Sequence, residues 1–171
     1  MHHPPPRPDR RRTLLTIAAA CCCAGTAHAT SNAQSPTSPS VDQITDLSST
    51  AASDMFRFDP DLVFVEPGTE ISFLNSRADH TVHSVPQLWP NGVPPVKISH
   101  KPQAAVLLPT DGLYAFRCRR HGKYGMVMLV VAGTGGDLPD IPERIDAMRA
   151  GAREKEKFRT LIARYAAERG A

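Results

Sequence analysis

Beyond residue 29 this chain of 171 residues contains one cysteine, Cys118, because the other three, Cys21, Cys22 and Cys23, sit together near its start. A lone cysteine excludes any disulfide within that part of the chain. Aromatic residues make up only 6% of the sequence, with a single tryptophan. A surplus of charge is missing too. Removing Arg7, Arg10, Arg11, Arg12 and Asp9 from the twenty basic and seventeen acidic side chains leaves the remainder neutral, which argues against general attraction to nucleic acid. After the first thirty residues no apolar run is long enough to cross a bilayer. What is present is a hydrophobic content of 41%, enough for one core of ordinary size.

Residues 1–29 read as an export signal: a basic, proline-rich opening, an apolar run over residues 14–20 and a small-x-small cleavage site at Ala27-His28-Ala29. Arg11-Arg12-Thr13-Leu14-Leu15 resembles a twin-arginine signal, which would carry the protein out already folded. Periplasmic residence is therefore expected. Cys118 then lies in an oxidising compartment, where an unpaired thiol is a buried inert residue, half of an intermolecular bridge or a metal ligand. Residues 30–40, rich in Ser, Thr, Asn, Gln and Pro, are expected to be a disordered leader.

From residue 41 to about residue 133 short apolar runs alternate with turn signals, which predicts a β-sandwich. Strands are expected at residues 62–65, 70–74, 80–85, 104–108, 113–118 and 126–132, paired antiparallel. A turn at Pro67-Gly68 and a loop over residues 75–79 punctuate them. Five prolines between Pro86 and Pro102 predict a long surface excursion. The period-2 rule puts Tyr114, Phe116 and Cys118 on one face of their strand. Residues 134–171 change to a helical period and form an extension packed on the sandwich. A first short helix opens on an Asp140-x-x-Glu143 capping box, with Ile141, Ile145 and Met148 on one face. Gly151 separates it from a second with an apolar stripe of Phe158, Leu161, Ile162 and Tyr165.

The chemistry concentrates in residues 118–126, Cys-Arg-Arg-His-Gly-Lys-Tyr-Gly-Met, where Cys118, His121 and Met126 stand as C-x2-H-x4-M. Thiolate, imidazole and thioether, completed by a second histidine, form the donor set of a trigonal copper site with a weak axial Met. A methionine donor argues against structural zinc, and the loop has too few Cys or His for it. On residue type alone the second histidine is His80, His83 or His100. His83 would face the other side of a strand that carries His80, and His100 lies in the proline-rich excursion. Met128 could replace Met126 only by shifting the loop.

Three blocks carry a family resemblance in order: Phe58-Asp59-Pro60 through Val65-x-Pro67-Gly68-Thr69, then His80-x-Val82-x-Ser84, then Tyr114-x-Phe116-x-Cys118-x-x-His121-x-x-x-x-Met126-Val127. The chain resembles the pseudoazurins, small blue copper proteins of the cupredoxin superfamily. The helical tail separates them from plastocyanin-like relatives. The resemblance implies an all-β, Greek-key, cupredoxin-like sandwich with a C-terminal pair of short helices. It also implies one type 1 copper on His80, Cys118, His121 and Met126, and a monomer that carries single electrons to a periplasmic nitrite reductase or c-type cytochrome. No enzymatic activity follows from it, since four protein ligands leave no open position for substrate.

In that family the second ligand histidine, here His121, is the usual electron port. Arg117, Arg119, Arg120, Lys123 and Tyr124 surround it and would form a docking rim for an acidic partner. The chain departs from the family's pattern in three places. Arg120 stands where Pro usually precedes the histidine, Phe56 falls at a position near the port that is often Met, and Ser48 and Ser49 occupy positions where an Asn would order the loop. The rival reading is a periplasmic copper-trafficking protein, to which the surplus His83 and Met128 would belong.

Overall fold

A computed structural model describes residues 38–75 and 80–170. The expected export signal, its twin-arginine motif, most of the leader and residues 76–79 of the expected loop lie outside these described residues. In chain order the elements are β1 (Ser40–Thr45), α1 (Ala52–Met55), β2 (Phe56–Asp59), β3 (Leu62–Val65), β4 (Thr69–Asn75), β5 (Thr81–Ser84), β6 (Lys97–Ser99), β7 (Gln103–Leu108), β8 (Gly112–Arg117), β9 (Val127–Ala132), α2 (Ile141–Asp146) and α3 (Ala152–Arg169).

The strands form two sheets, β2-β1-β4-β7 and β3-β9-β8-β5-β6. Most neighbours run antiparallel, but β1 pairs parallel with β4 and β3 parallel with β9. The expectation of a wholly antiparallel sandwich is thereby corrected: alternation of apolar residues reports which face a strand buries and carries no information on the direction of its neighbour. Alternation does sort β8 and β9. Tyr114, Phe116 and Cys118 join Met128, Val130 and Ala132 in the core between the sheets, while Leu113, Ala115, Val127, Leu129 and Val131 face a second cluster beneath the helices. Strand β9, buried along its whole length, is apolar at every position because both its faces are covered.

The proline-rich segment is less peripheral than expected. Leu88 and Trp89 are buried, and the Trp89 ring meets Tyr114 and Phe116 edge-on at 5.0 and 5.2 Å. The segment also contributes the edge strand β6, where prolines on either side leave three residues free to pair.

The helical extension packs on the outer face of the five-stranded sheet through Ile145, Met148, Phe158, Leu161 and Tyr165. The expected capping box does not form: Asp140 sits at the cap with a left-handed backbone (φ 58°) and makes no side-chain capping bond. A left-handed Asp aims its carboxylate away from the helix's first amides, and its carbonyl accepts the Arg144 N–H instead. Helix α3 is the longer of the two, with 18 residues. Asp61, at the turn before β3, accepts from Arg164 at 2.8 Å and pairs with Lys157 at 2.6 Å, tying α3 to the sandwich. Tyr165 donates its hydroxyl to the Thr134 carbonyl at 2.7 Å, and a Cβ at Gly135 would overlap that hydroxyl.

Candidate metal centre

Strand β8 ends at Arg117 and delivers Cys118 to the edge of the core, fully buried. The chain then folds into a compact loop. Gly122 N–H donates to the Cys118 carbonyl at 2.7 Å, and Cys118 N–H donates to the Met126 carbonyl at 3.0 Å, so the loop closes on itself before β9 begins. Gly125 makes the reversal with φ of 102°, a conformation that L side chains rarely adopt. His80, just ahead of β5, is 1% exposed and comes in from the strand beside β8 in the same sheet.

These elements bring one donor atom from each of His80, Cys118 and His121 within 4.8 Å of one another. The two Nδ1 atoms are 3.2 Å apart, and Cys118 Sγ lies 3.7 Å from His121 Nδ1. Three donors spread trigonally at about 2.0–2.3 Å from a first-row ion would stand about 3.5–4 Å apart, so the spacing fits a bound ion with modest opening. Met126 is fully buried in the same core cluster as Cys118. One thiolate and two imidazoles in such a group suit a soft or borderline ion such as copper better than a hard cation.

The surroundings fix the donors. Thr45 Oγ1 lies 2.9 Å from His80 Nε2, so that nitrogen is engaged and Nδ1 faces the site. Thr81 ties the cysteine: its hydroxyl donates toward Cys118 Sγ at 3.7 Å and accepts the Arg119 N–H at 2.9 Å. His121 is partly exposed and stacks on Phe56, ring centroids 3.9 Å apart and planes 2° from parallel, with Tyr124 beside Phe56 at 5.6 Å. Neither Thr45 nor Thr81 stood out in the sequence, where nothing distinguishes a threonine beside a metal site from any other strand threonine. Phe56 did, as a departure from the family pattern.

The other candidates fall elsewhere. His83 is outside the group and lies 3.5 Å from Ser99 Oγ. Partial burial and the charges of Arg119, Lys97 and Arg117 hold its pKa below the ordinary imidazole value, so it is neutral at pH 7. His100 is exposed with a left-handed backbone, and Met128 is buried between the sheets. Of the basic rim, Arg119, Arg120 and Lys123 are exposed, with the Lys123 ammonium 4.9 Å from the Tyr124 ring centroid. Arg117 turns to a buried partner, Glu154, at 3.1 Å.

Known proteins resemble this chain in sequence and fold. Residues 45–133 match the model of the copper-binding proteins of the plastocyanin/azurin family. Pseudoazurin of Methylorubrum extorquens is 39% identical over 83 residues, 48% of this chain and 56% of that protein. Pseudoazurin of Paracoccus pantotrophus is 30% identical over 109 residues, 64% of this chain and 71% of that one. The solved structure of native pseudoazurin from Hyphomicrobium denitrificans superposes with a TM-score of 0.60 at 28% identity, covering 74% of this chain and 96% of its own. With the sandwich, the helical tail and the Cys-His-His cluster described, the chain belongs to the plastocyanin/azurin family of copper-binding proteins, in its pseudoazurin branch.

Proposed function

We propose that His80, Cys118, His121 and Met126 hold one type 1 copper and that the protein is a carrier of single electrons and not an enzyme. The convergence of two imidazole Nδ1 atoms and one thiol sulfur in a buried site carries this reading. Copper bound there supplies a one-electron Cu(I)/Cu(II) couple. The chain's own contribution is to hold the donors in nearly one arrangement whichever state is present. Thr45 and Thr81 steady His80 and Cys118 from outside, and the hydrogen bonds of the 118–126 loop fix its closure. Burial of Cys118 and His80 excludes water, whereas the partly exposed His121 ring connects the site to the surface.

The partly buried patch of Phe56, His121 and Tyr124 is the contact point, and Arg119, Arg120 and Lys123 steer an acidic redox partner toward it. A periplasmic copper nitrite reductase or a c-type cytochrome fits that description. No helix among the described residues is long and apolar enough to cross a membrane. Residues 1–29 act as the export signal to the periplasm, residues 30–40 as a leader that runs into β1 at Ser40, 41–133 as the copper-carrying sandwich and 134–171 as a helical brace on it.

Electron transfer and metal trafficking part on one test. Repeated reduction and reoxidation of the copper-loaded protein should bleach and restore an intense visible band without loss of metal to a competing chelator. Rapid surrender of copper in the same assay would assign the protein to trafficking.

A further inference from the structure

Helix α3 buries a stripe of Glu154, Phe158, Leu161 and Tyr165, and the first of these is a carboxylate. The Glu154 side chain is 1% exposed. Such a group does little for an apolar interface, since desolvating a charge costs about as much as one ion pair returns. Burial pushes the Glu154 pKa up, and the Arg117 charge only partly opposes it, so the ionised carboxylate is a net burden on the fold. Its neighbours suggest what that burden serves. Arg117 Nη1 stands 3.1 Å from Oε1 and belongs to the residue directly before Cys118. On its other side the carboxylate fills the space beside Gly122, the residue directly after His121: a Cβ there would lie 3.1 Å from Oε2 and 3.3 Å from Cδ. Gly122 N–H in turn donates to the Cys118 carbonyl at 2.7 Å.

We propose that Glu154 is a positioning residue for the metal loop, its carboxylate gripping Arg117 and bearing on Gly122 so that helix α3 fixes the span between Cys118 and His121. A second effect follows from charge. A buried negative group behind the two donors favours the more positive oxidation state of a metal held there, so Glu154 lowers the potential. The inference deepens the proposed electron-carrier role and rests on it. Gly122 also fits this reading: an added Cβ would push the carboxylate back by a few tenths of an ångström.

The test compares Glu154→Gln, Glu154→Asp, Gly122→Ala and the double variant Glu154→Ala/Gly122→Ala in the full chain. With copper bound and poised in a fixed redox buffer, Glu154→Gln should raise the ratio of reduced to oxidised protein about threefold or more. Glu154→Asp, which keeps the charge, should stay near the parent ratio. In metal-free protein the Gly122 amide should exchange with solvent about tenfold faster in Glu154→Gln, while the melting temperature is unchanged or higher. Gly122→Ala alone should shift the visible band, and the double variant should restore it. A parental redox ratio and parental Gly122 exchange in Glu154→Gln would overturn the proposal, as would Gly122→Ala with an unshifted band. If the parent protein itself fails to turn blue with cupric ion, the ligand reading fails; a blue parent with insensitive variants removes only the role given to Glu154.

Discussion

An imidazole serves a metal site well when its far nitrogen is already engaged, because the ring then cannot rotate or choose the wrong tautomer. Thr45 does this for His80 through a contact of 2.9 Å. Thr45→Val keeps the shape and removes the oxygen, and copper affinity should fall about 10- to 100-fold with little change in stability, as measured by competition with a chelator. The proposed donors Cys118, His121 and Met126 could be read from one loop, since their spacing is local. His80 needed the family resemblance, because residue type alone left His83 and His100 open. Thr45 was not legible at all: its partner is 35 residues away, and a hydroxyl beside a metal site leaves no local pattern.

At the scale of elements, the helical brace is held by an apolar stripe and by polar ties that include Asp61. Removing the Phe158 side chain, which is fully buried, should cost about 3–5 kcal/mol, read from chemical denaturation of Phe158→Ala. Asp61 is the more selective probe. Burial raises its pKa, but hydrogen bonds and charges from Lys157 and Arg164 together outweigh that and leave it below the ordinary value of 3.8. Folding therefore favours the ionised form. The stabilisation is complete above the ordinary value and is lost as pH falls through the lower folded-state value. Asp61→Asn should destabilise the protein by about 1 kcal/mol at pH 7 and flatten the fall in melting temperature below pH 4. The apolar face of α3 was visible as a 3.6-residue period, but Asp61 and Glu154 were not. Both act through partners distant in sequence, and a charged residue at a core position reads as a solvated one until the packing is known. The capping box failed for a related reason, since its signature specifies side chains and the backbone of Asp140 turned the other way.

At the scale of the molecule, the chain beyond residue 29 is neutral, and Arg119, Arg120 and Lys123 are exposed as a basic patch on the loop that carries the partly exposed ring of His121. Steering by such a patch changes encounter rates more than affinity. The double variant Arg119→Glu/Lys123→Glu should slow second-order electron transfer with an acidic partner about tenfold at low ionic strength, with the difference shrinking as salt is raised and the visible spectrum unaltered. The sorting of faces along β8 was legible from the period-2 rule and the double burial of β9 from its unbroken apolar run, whereas the parallel pairings were not legible, because strand direction is settled by the connections between sheets. The claim on which everything turns is that the Cys118 sulfur is bonded to copper in company with two imidazoles. Addition of cupric ion to the exported protein and to Cys118→Ser, followed by visible absorption, tests it most directly. The parent should develop an intense band and the equally folded Ser variant none; a colourless parent, or a band that survives the substitution, would contradict the account.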